Sequence, residues 1–225
     1  MVFIFCNFEI MISKAIENYL KAIFSIQPEI GGIVSTNSIS DKLKTKPSSV
    51  TDMIKKLTEK KLVTYEKYKG VKLTTKGKRI ATSIVRKHRL WETFLVEKLN
   101  FKWDEVHDVA EQLEHIKSEK LVDLLDNFLG NPKFDPHGDP IPNQQGDFPL
   151  LNALPLTTLS VNQKGVVMGV LQDEPSFLKY LTKLNISLGS SIFVLDQIEF
   201  DKSIEIDAEK IHISLDVAKN ILIKA

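Results

Sequence analysis

The stretch from Gly130 to Pro149, "GNPKFDPHGDPIPNQQGDFP", holds five of the chain's nine prolines and three of its ten glycines. Proline lacks the amide that a helix interior or central strand needs, and glycine favours turns, so no regular element runs through it. The 225 residues are thereby divided into parts that each need a core of their own. The patterning also changes across the break. Before it, apolar residues recur at helical spacing. After it come short apolar runs, "GVVMGVL", "SIFVLDQIEF" and "KIHISL", with one helical stretch, "PSFLKYLTKL". The break reads as a loop and domain linker. It joins a mainly α N-terminal part to a small β-rich barrel with an inserted helix, an α+β multidomain chain.

In the N-terminal part, "SKAIENYLKAIFSI" repeats apolar residues at helical spacing (Ala15, Ile16, Tyr19, Leu20, Ile23), with Ser13 as N-cap. "STNSISDKLKT" is a short helix, and "KPSSVTDMIKKLTEKKLV" is a longer one that opens on proline or serine. Two short strands, "LVTYEKY" and "GVKLT", turn near Lys69-Gly70. A long helix from Thr75 to about Leu99 follows, with Ile80, Ile84, Trp91 and Leu95 as its apolar stripe. Further helices are expected over Trp103–Ile116 and Ser118–Leu129. The apolar opening "MVFIFCNFEIM" is too short to span a bilayer and lacks a basic leader and a cleavage site. A translation start at Met11 explains it most simply, and an extra strand or arm is the other reading. Cys6 is the only cysteine, which excludes an internal disulfide and fits a reducing, cytoplasmic setting.

Charge is unevenly spread. Residues 41–79 carry thirteen Lys+Arg against four Asp+Glu, whereas residues 104–147 carry three against eleven. One face suits a polyanion and another suits cations. Helix, helix, helix and a two-stranded wing is the order of a winged helix-turn-helix, whose second motif helix, about 47–60, enters a DNA major groove. Pro47 opens that helix; Ser48, Ser49 and Thr51 allow close approach and donate to phosphates or base edges, and Asp52 on the same helix is counted with the DNA-binding set. Lys46, Lys55 and Lys56 neutralise phosphates, and the wing adds Lys67, Tyr68 and Lys69. The bland alternative is a solvated basic surface.

The acidic part raises a different chemistry. Between Asp104 and Ile116 lie two histidines, five carboxylates and no lysine or arginine. On a helix, Val106, Val109, Ala110, Leu113 and Ile116 share one stripe, and His107, Glu111, Glu114 and His115 fall within an arc of about 100° elsewhere. Like charges three apart, as at Glu111 and Glu114, destabilise a helix. A divalent cation turns that repulsion into ligation. On the long helix, His88 sits at the edge of the apolar stripe with Glu92 one turn on. A satisfied core histidine is the competing reading there. Nitrogen and carboxylate donors without a thiolate favour Mn²⁺ or Fe²⁺ over a structural zinc site.

"ENYLKAI", "KPSSVTDMIKKL", "YEKYKGVKLTTKGK", "RKHRLWETFL" and "VHDVAEQLEH", in that order, resemble the landmarks of the metal-dependent repressors of the diphtheria toxin repressor and manganese transport regulator type. "DPHGDPIP" and the final segment resemble the linker and SH3-like (FeoA-like) domain of its longer members. The resemblance spans about residues 12–225. It implies a winged helix-turn-helix over 11–75, a helical metal-binding and dimerisation domain over 76–147, and an SH3-like domain over 148–225. It also implies two metal sites. Asn18, Glu111, Glu114 and His115 would form one; His88, Glu92 and His107 would form the other, with a weaker contribution from Asp173. The glutamate at 111, where iron-type members place a cysteine, tilts the cofactor to Mn²⁺, with Fe²⁺ as the alternative. Asn18 stands where aspartate or methionine is usual, and Lys21 where some manganese regulators carry a bridging glutamate. Two separated sites are therefore expected.

The function so implied is a metal-activated repressor of metal-uptake genes. It would be a homodimer without membrane association, binding palindromic double-stranded DNA operators with half-sites one helical turn apart, about 34–36 Å. A metallohydrolase is a distant alternative, against which stands the lack of an HExxH-type motif or evident nucleophile. A winged-helix protein that binds partners rather than DNA is a third.

Overall fold

The computed structural model describes residues 12–27, 32–67, 69–207 and 210–224. The expected start at Met11 and the wing residue Tyr68 lie outside them. Two compact units are present, one ending at Val85 and one beginning at Arg86.

The first unit holds α1 (Lys14–Ile26), α2 (Thr36–Lys42), α3 (Pro47–Glu59), β1 (Val63–Glu66), β2 (Gly70–Leu73) and the start of α4 (Thr75–Leu99). Ser13 caps α1 by accepting from the Ile16 amide, as its sequence position predicts, and Ser35 does the same for α2. Pro47 opens α3, where its missing amide costs nothing. Ile16, Leu20 and Ile23 of α1 meet Ile39, Val50, Ile54 and Leu57 in one buried core. The β1–β2 hairpin pairs Glu66 with Gly70, so the strands end close to the Lys69-Gly70 reversal expected from the sequence. Val34 adds a bridge to Val71, with reciprocal amide–carbonyl bonds of 2.8 Å. Gly70 is required beside it: φ is +132°, and a Cβ there would lie 2.3 Å from the Val34 carbonyl oxygen.

The second unit contains the rest of α4, α5 (His107–Leu113), α6 (Glu119–Phe128), a two-residue β3 (Leu154–Pro155), a 3₁₀ turn (Leu156–Thr158), β4 (Lys164–Val170), α7 (Pro175–Lys183), β5 (Ser191–Gln197), β6 (Ile204–Ile206), β7 (Ile211–Ile213), α8 (Leu215–Lys219) and β8 (Ile221–Lys224). The mainly helical part followed by a β-rich part is as expected. The sheet is antiparallel in the order β3-β8-β4-β5-β6-β7. No pairing among the described residues joins β3 to β7, so closure into a barrel is not seen. Ile192, Val194, Ile206, Ile213 and Ile223 alternate inward and pack with Leu178 and Leu181 of α7.

The helix expected over Trp103–Ile116 is shortened to α5. Asn100, at φ +59°, ends α4 with the Phe101 amide bonded to the Leu95 carbonyl. A helix through residue 103 would direct the Trp103 carbonyl to the His107 amide. That carbonyl instead faces His137 Nε2 at 2.7 Å, and the Trp103 indole donates to Thr182 of α7 at 2.9 Å. Residues 103–106 form a turn in consequence. No helix among the described residues is long and apolar enough to cross a membrane.

Candidate metal centres and nucleic-acid face

Helical spacing on α4 aligns His88 and Glu92, which are 6% and 2% exposed. His107 and Glu111 share a face of α5 in the same way. Because α5 stops at Leu113, Glu114 and His115 lie in the turn beyond it rather than on a helical face. That turn brings Glu114 inward to 1% exposure. His88 stands between two carboxylates, its Nδ1 2.6 Å from Glu114 Oε2 and its Nε2 3.0 Å from Glu92 Oε1. His107 Nδ1 is 3.5 Å from Glu92 Oε1 and 3.7 Å from Asp173 Oδ2, and its Nε2 is 3.6 Å from Glu111 Oε1. The His88 and His107 rings lie edge to face, 4.9 Å apart. His115 Nε2 reaches to 4.0 Å from Glu114 Oε1.

His88, Glu92 and His107 thus lie together, with Asp173 beside His107. Glu111, Glu114 and His115 are gathered at the end of α5. Asn18 is exposed on α1 in the first unit, beside a buried Glu17. The two sets in the second unit are linked by the His88–Glu114 contact.

Asp135 and His137, within the stretch read as linker, were missed. They are buried at 4% and 3% exposure. Asp135 Oδ1 accepts from the amides of His137 (2.8 Å) and Asp139 (3.0 Å), closing the loop on itself. The His137 carbonyl accepts from the Val170 amide at 2.9 Å, fixing the loop to β4. Gly138, at φ +87°, lets the backbones touch: a Cβ there would lie 2.2 Å from the Met168 carbonyl oxygen. His137 Nδ1 lies 3.7 Å from Glu92 Oε2. The signal in the sequence was an acid and a histidine two apart in a proline-glycine loop, which periodicity does not register.

Two groups therefore have ligand atoms mutually within 4.8 Å: His88, Glu92 and His107; and Glu92, Asp135 and His137. Three buried atoms there have no hydrogen-bond partner among the described residues: Glu92 Oε1, His107 Nδ1 and Asp135 Oδ2. Buried polar atoms are costly without partners, and cations held by the two groups would satisfy all three. Burial acts to raise the Glu92 carboxyl, but His107, His137 and His88 outweigh it and hold the group well below the usual carboxylate range. Burial opposes charge on His137, yet Glu92 and Asp135 push it up to about 9. Burial, aided by Glu92 and Asp139, pushes Asp135 up to about 7.

On the first unit, Lys46, Pro47, Ser48, Ser49, Thr51, Asp52, Lys55 and Lys56 are all exposed on α3 or at its start, and Lys67 and Lys69 are exposed in the wing turn. Lys55 pairs with Asp52 at 3.5 Å and Lys69 with Glu66 at 3.0 Å, both in solvent. The Thr51 hydroxyl donates to the Pro47 carbonyl at 3.1 Å. Tyr65 on β1, which sequence reading did not single out, is half-exposed and lines a groove of about 310 Å³ with Thr36, Thr51 and Lys55.

Residues 11–71 match the iron-dependent repressor N-terminal DNA-binding domain, and 74–143 match the iron-dependent repressor metal-binding and dimerisation domain. Over 125 residues the chain is 34% identical to the transcriptional regulator MntR of Oceanobacillus iheyensis, covering 56% of this chain and 84% of the relative. The chain belongs to the iron-dependent repressor family. Residues 154–225 match the FeoA domain. A solved manganese-dependent transcriptional repressor in complex with manganese, a member of similar build, is 36% identical, with a TM-score of 0.81 over 93% of this chain and 99% of that one. The iron-dependent repressor IdeR of Mycobacterium leprae is 33% identical over 127 residues, 56% of this chain. The chain spans about half the length of this and the corynebacterial relative it matches. These relatives are named as transcriptional regulators or repressors, not as enzymes.

Proposed function

We propose that this chain is a Mn²⁺-activated, cytoplasmic repressor that binds palindromic operators as a homodimer and controls metal-uptake genes. The observation that carries the reading is the histidine-carboxylate cluster around Glu92 and Glu114. Two carboxylates are almost wholly buried there, and partnerless ligand atoms converge beside them. Such a cluster is stable when a cation completes it. Imidazole nitrogen and carboxylate oxygen without thiolate fit Mn²⁺.

In this reading one ion would be held by Glu111, Glu114 and His115, with Asn18 offering a neutral oxygen. The groups around Glu92 would hold a second: His88 and His107 beside its Oε1, with Asp173 near His107, and Asp135 and His137 on the side of its Oε2. When bound, the metal supplies the positive charge that this acidic region lacks. The chain's own residues do the rest. Glu111 and Glu114 stop repelling one another, and the ligating segments settle into one arrangement. α3 and the wing read DNA, with Lys46, Lys55, Lys56, Lys67 and Lys69 on phosphates and Ser48 and Ser49 close to base edges. The domains follow the divisions 11–75, 76–147 and 148–225. Leu121, Leu124 and Phe128 leave an uncovered apolar face on α6 that suits a second copy of the chain.

Operator binding measured across Mn²⁺, Fe²⁺ and Zn²⁺ at controlled free concentrations tests the proposal. Tightest activation by Mn²⁺ is expected, and binding indifferent to metal refutes it. Activation by Fe²⁺ is the second reading, favoured by the iron-dependent relatives.

A further inference from the structure

Arg89 lies on α4 three residues before Glu92 and one after His88. Its guanidinium meets the loop. Its Nη1 donates to the Pro140 carbonyl at 2.5 Å and its Nη2 to Asp139 Oδ2 at 3.0 Å, while Nε is 3.6 Å from Asp135 Oδ2. The guanidinium also lies 6.0 Å from the centroid of the Phe148 ring. Every one of these partners belongs to residues 135–148, the stretch whose composition forbids regular structure. A planar fork with fixed donor directions holds several acceptors at once, which an ammonium does not.

We propose that Arg89 is a positioning residue for the Glu92–Asp135–His137 centre: it latches residues 135–140 to α4 and so presents Asp135 Oδ2 and His137 Nδ1 to Glu92. The proposal rests on the reading that this centre holds Mn²⁺. Asp135 Oδ1 is already committed to two amides of its own loop, so Oδ2 is the oxygen left to ligate. Arg89 Nε faces that oxygen at 3.6 Å, on the side of the loop that the latch holds. The loop then stays in its ligating shape despite the crowding of Glu92, Asp135 and Asp139. Metal entry completes a preformed site and does not have to order twenty residues.

Two effects of removing Arg89 have opposite signs, which makes the test decisive. Loss of a cation near a cation site strengthens metal binding. Loss of positioning weakens it, by about 10–100-fold where a supporting group around a metal ligand is removed. In the full chain, titrated with Mn²⁺ alone and followed by electron paramagnetic resonance, Arg89→Gln is expected to weaken one of two Mn²⁺ positions by that factor and spare the other. Arg89→Lys keeps the charge and is expected to weaken the same position. Amide exchange of His137, Gly138 and Asp139 in the metal-free protein should accelerate in both variants. Asp139→Asn, at a half-exposed side chain that opens only one arm of the latch, should accelerate the same amides more modestly and provides the test if Arg89 variants fold poorly. Tighter or unchanged Mn²⁺ binding in Arg89→Gln, full retention in Arg89→Lys, or unchanged loop exchange overturns the latch. A parent protein that binds no Mn²⁺ overturns the functional reading instead.

Discussion

Mn²⁺ binding at Glu92, Asp135 and His137 must displace protons, and the structure sets how many. With His137 near 9, nearly every molecule carries that proton at pH 7. With Asp135 near 7, about half carry the second. Ligation needs both groups deprotonated, so about 1.5 protons leave at pH 7 and about one at pH 8 by ordinary titration. The association constant for Mn²⁺ should therefore rise by about 1.5 log units per pH unit near pH 7, easing to about one by pH 8. Glu111→Ala, which disables the other position, isolates the effect. Calorimetry in buffers of different ionisation enthalpy counts the released protons directly. In His137→Gln the count should fall by about one. An affinity flat between pH 6.5 and 8 would show that His137 and Asp135 are not ligands.

The metal-free protein should respond in the opposite sense. A raised His137 pKa stabilises the fold fully below its unfolded value of about 6.5, and that contribution is lost as pH climbs through about 9. Thermal melting of the stripped protein should thus fall across this window while the Mn²⁺-loaded form gains.

Glu111→Cys should move the preference from Mn²⁺ toward softer metals, and an unchanged ranking in competition titrations means that Glu111 does not ligate. Metal and operator should tighten one another by the same factor; equal Mn²⁺ affinity with and without operator would falsify metal-coupled DNA binding. Lys55→Ala should weaken binding to all sequences alike and reduce the slope of log K against log salt by about one, read by gel shift over a salt series. Gly138→Ala sets a Cβ against the Met168 carbonyl at positive φ and should lower the melting temperature while loosening the His137 position, seen as a lost Mn²⁺ equivalent.

Much of this was legible because it is local. The bounds of α4, the Ser13 cap and the proline at the start of α3 follow from spacing and capping chemistry. The pairing of His88 with Glu92 follows from one helical turn. What periodicity could not give depends on distant partners. Trp103 leaves the helix because His137, thirty-four residues on, takes its carbonyl. Glu114 looked like part of a polar helix face, yet the end of α5 turns it inward to His88. Asp135 and His137 sat in a stretch whose composition says "no helix, no strand" and is silent on whether the loop is anchored. Arg89 and β4 anchor it, and neither signal is contained in the loop itself.

Glu92 divides its two oxygens, Oε1 toward His88 and His107 and Oε2 toward His137. A single carboxyl group thus belongs to two neighbourhoods at once, and filling either changes what the other can offer. Dose-response to rising free manganese should consequently follow two unequal steps and depart from a simple hyperbola, so that scarcity and sufficiency are registered as separate thresholds along one side chain.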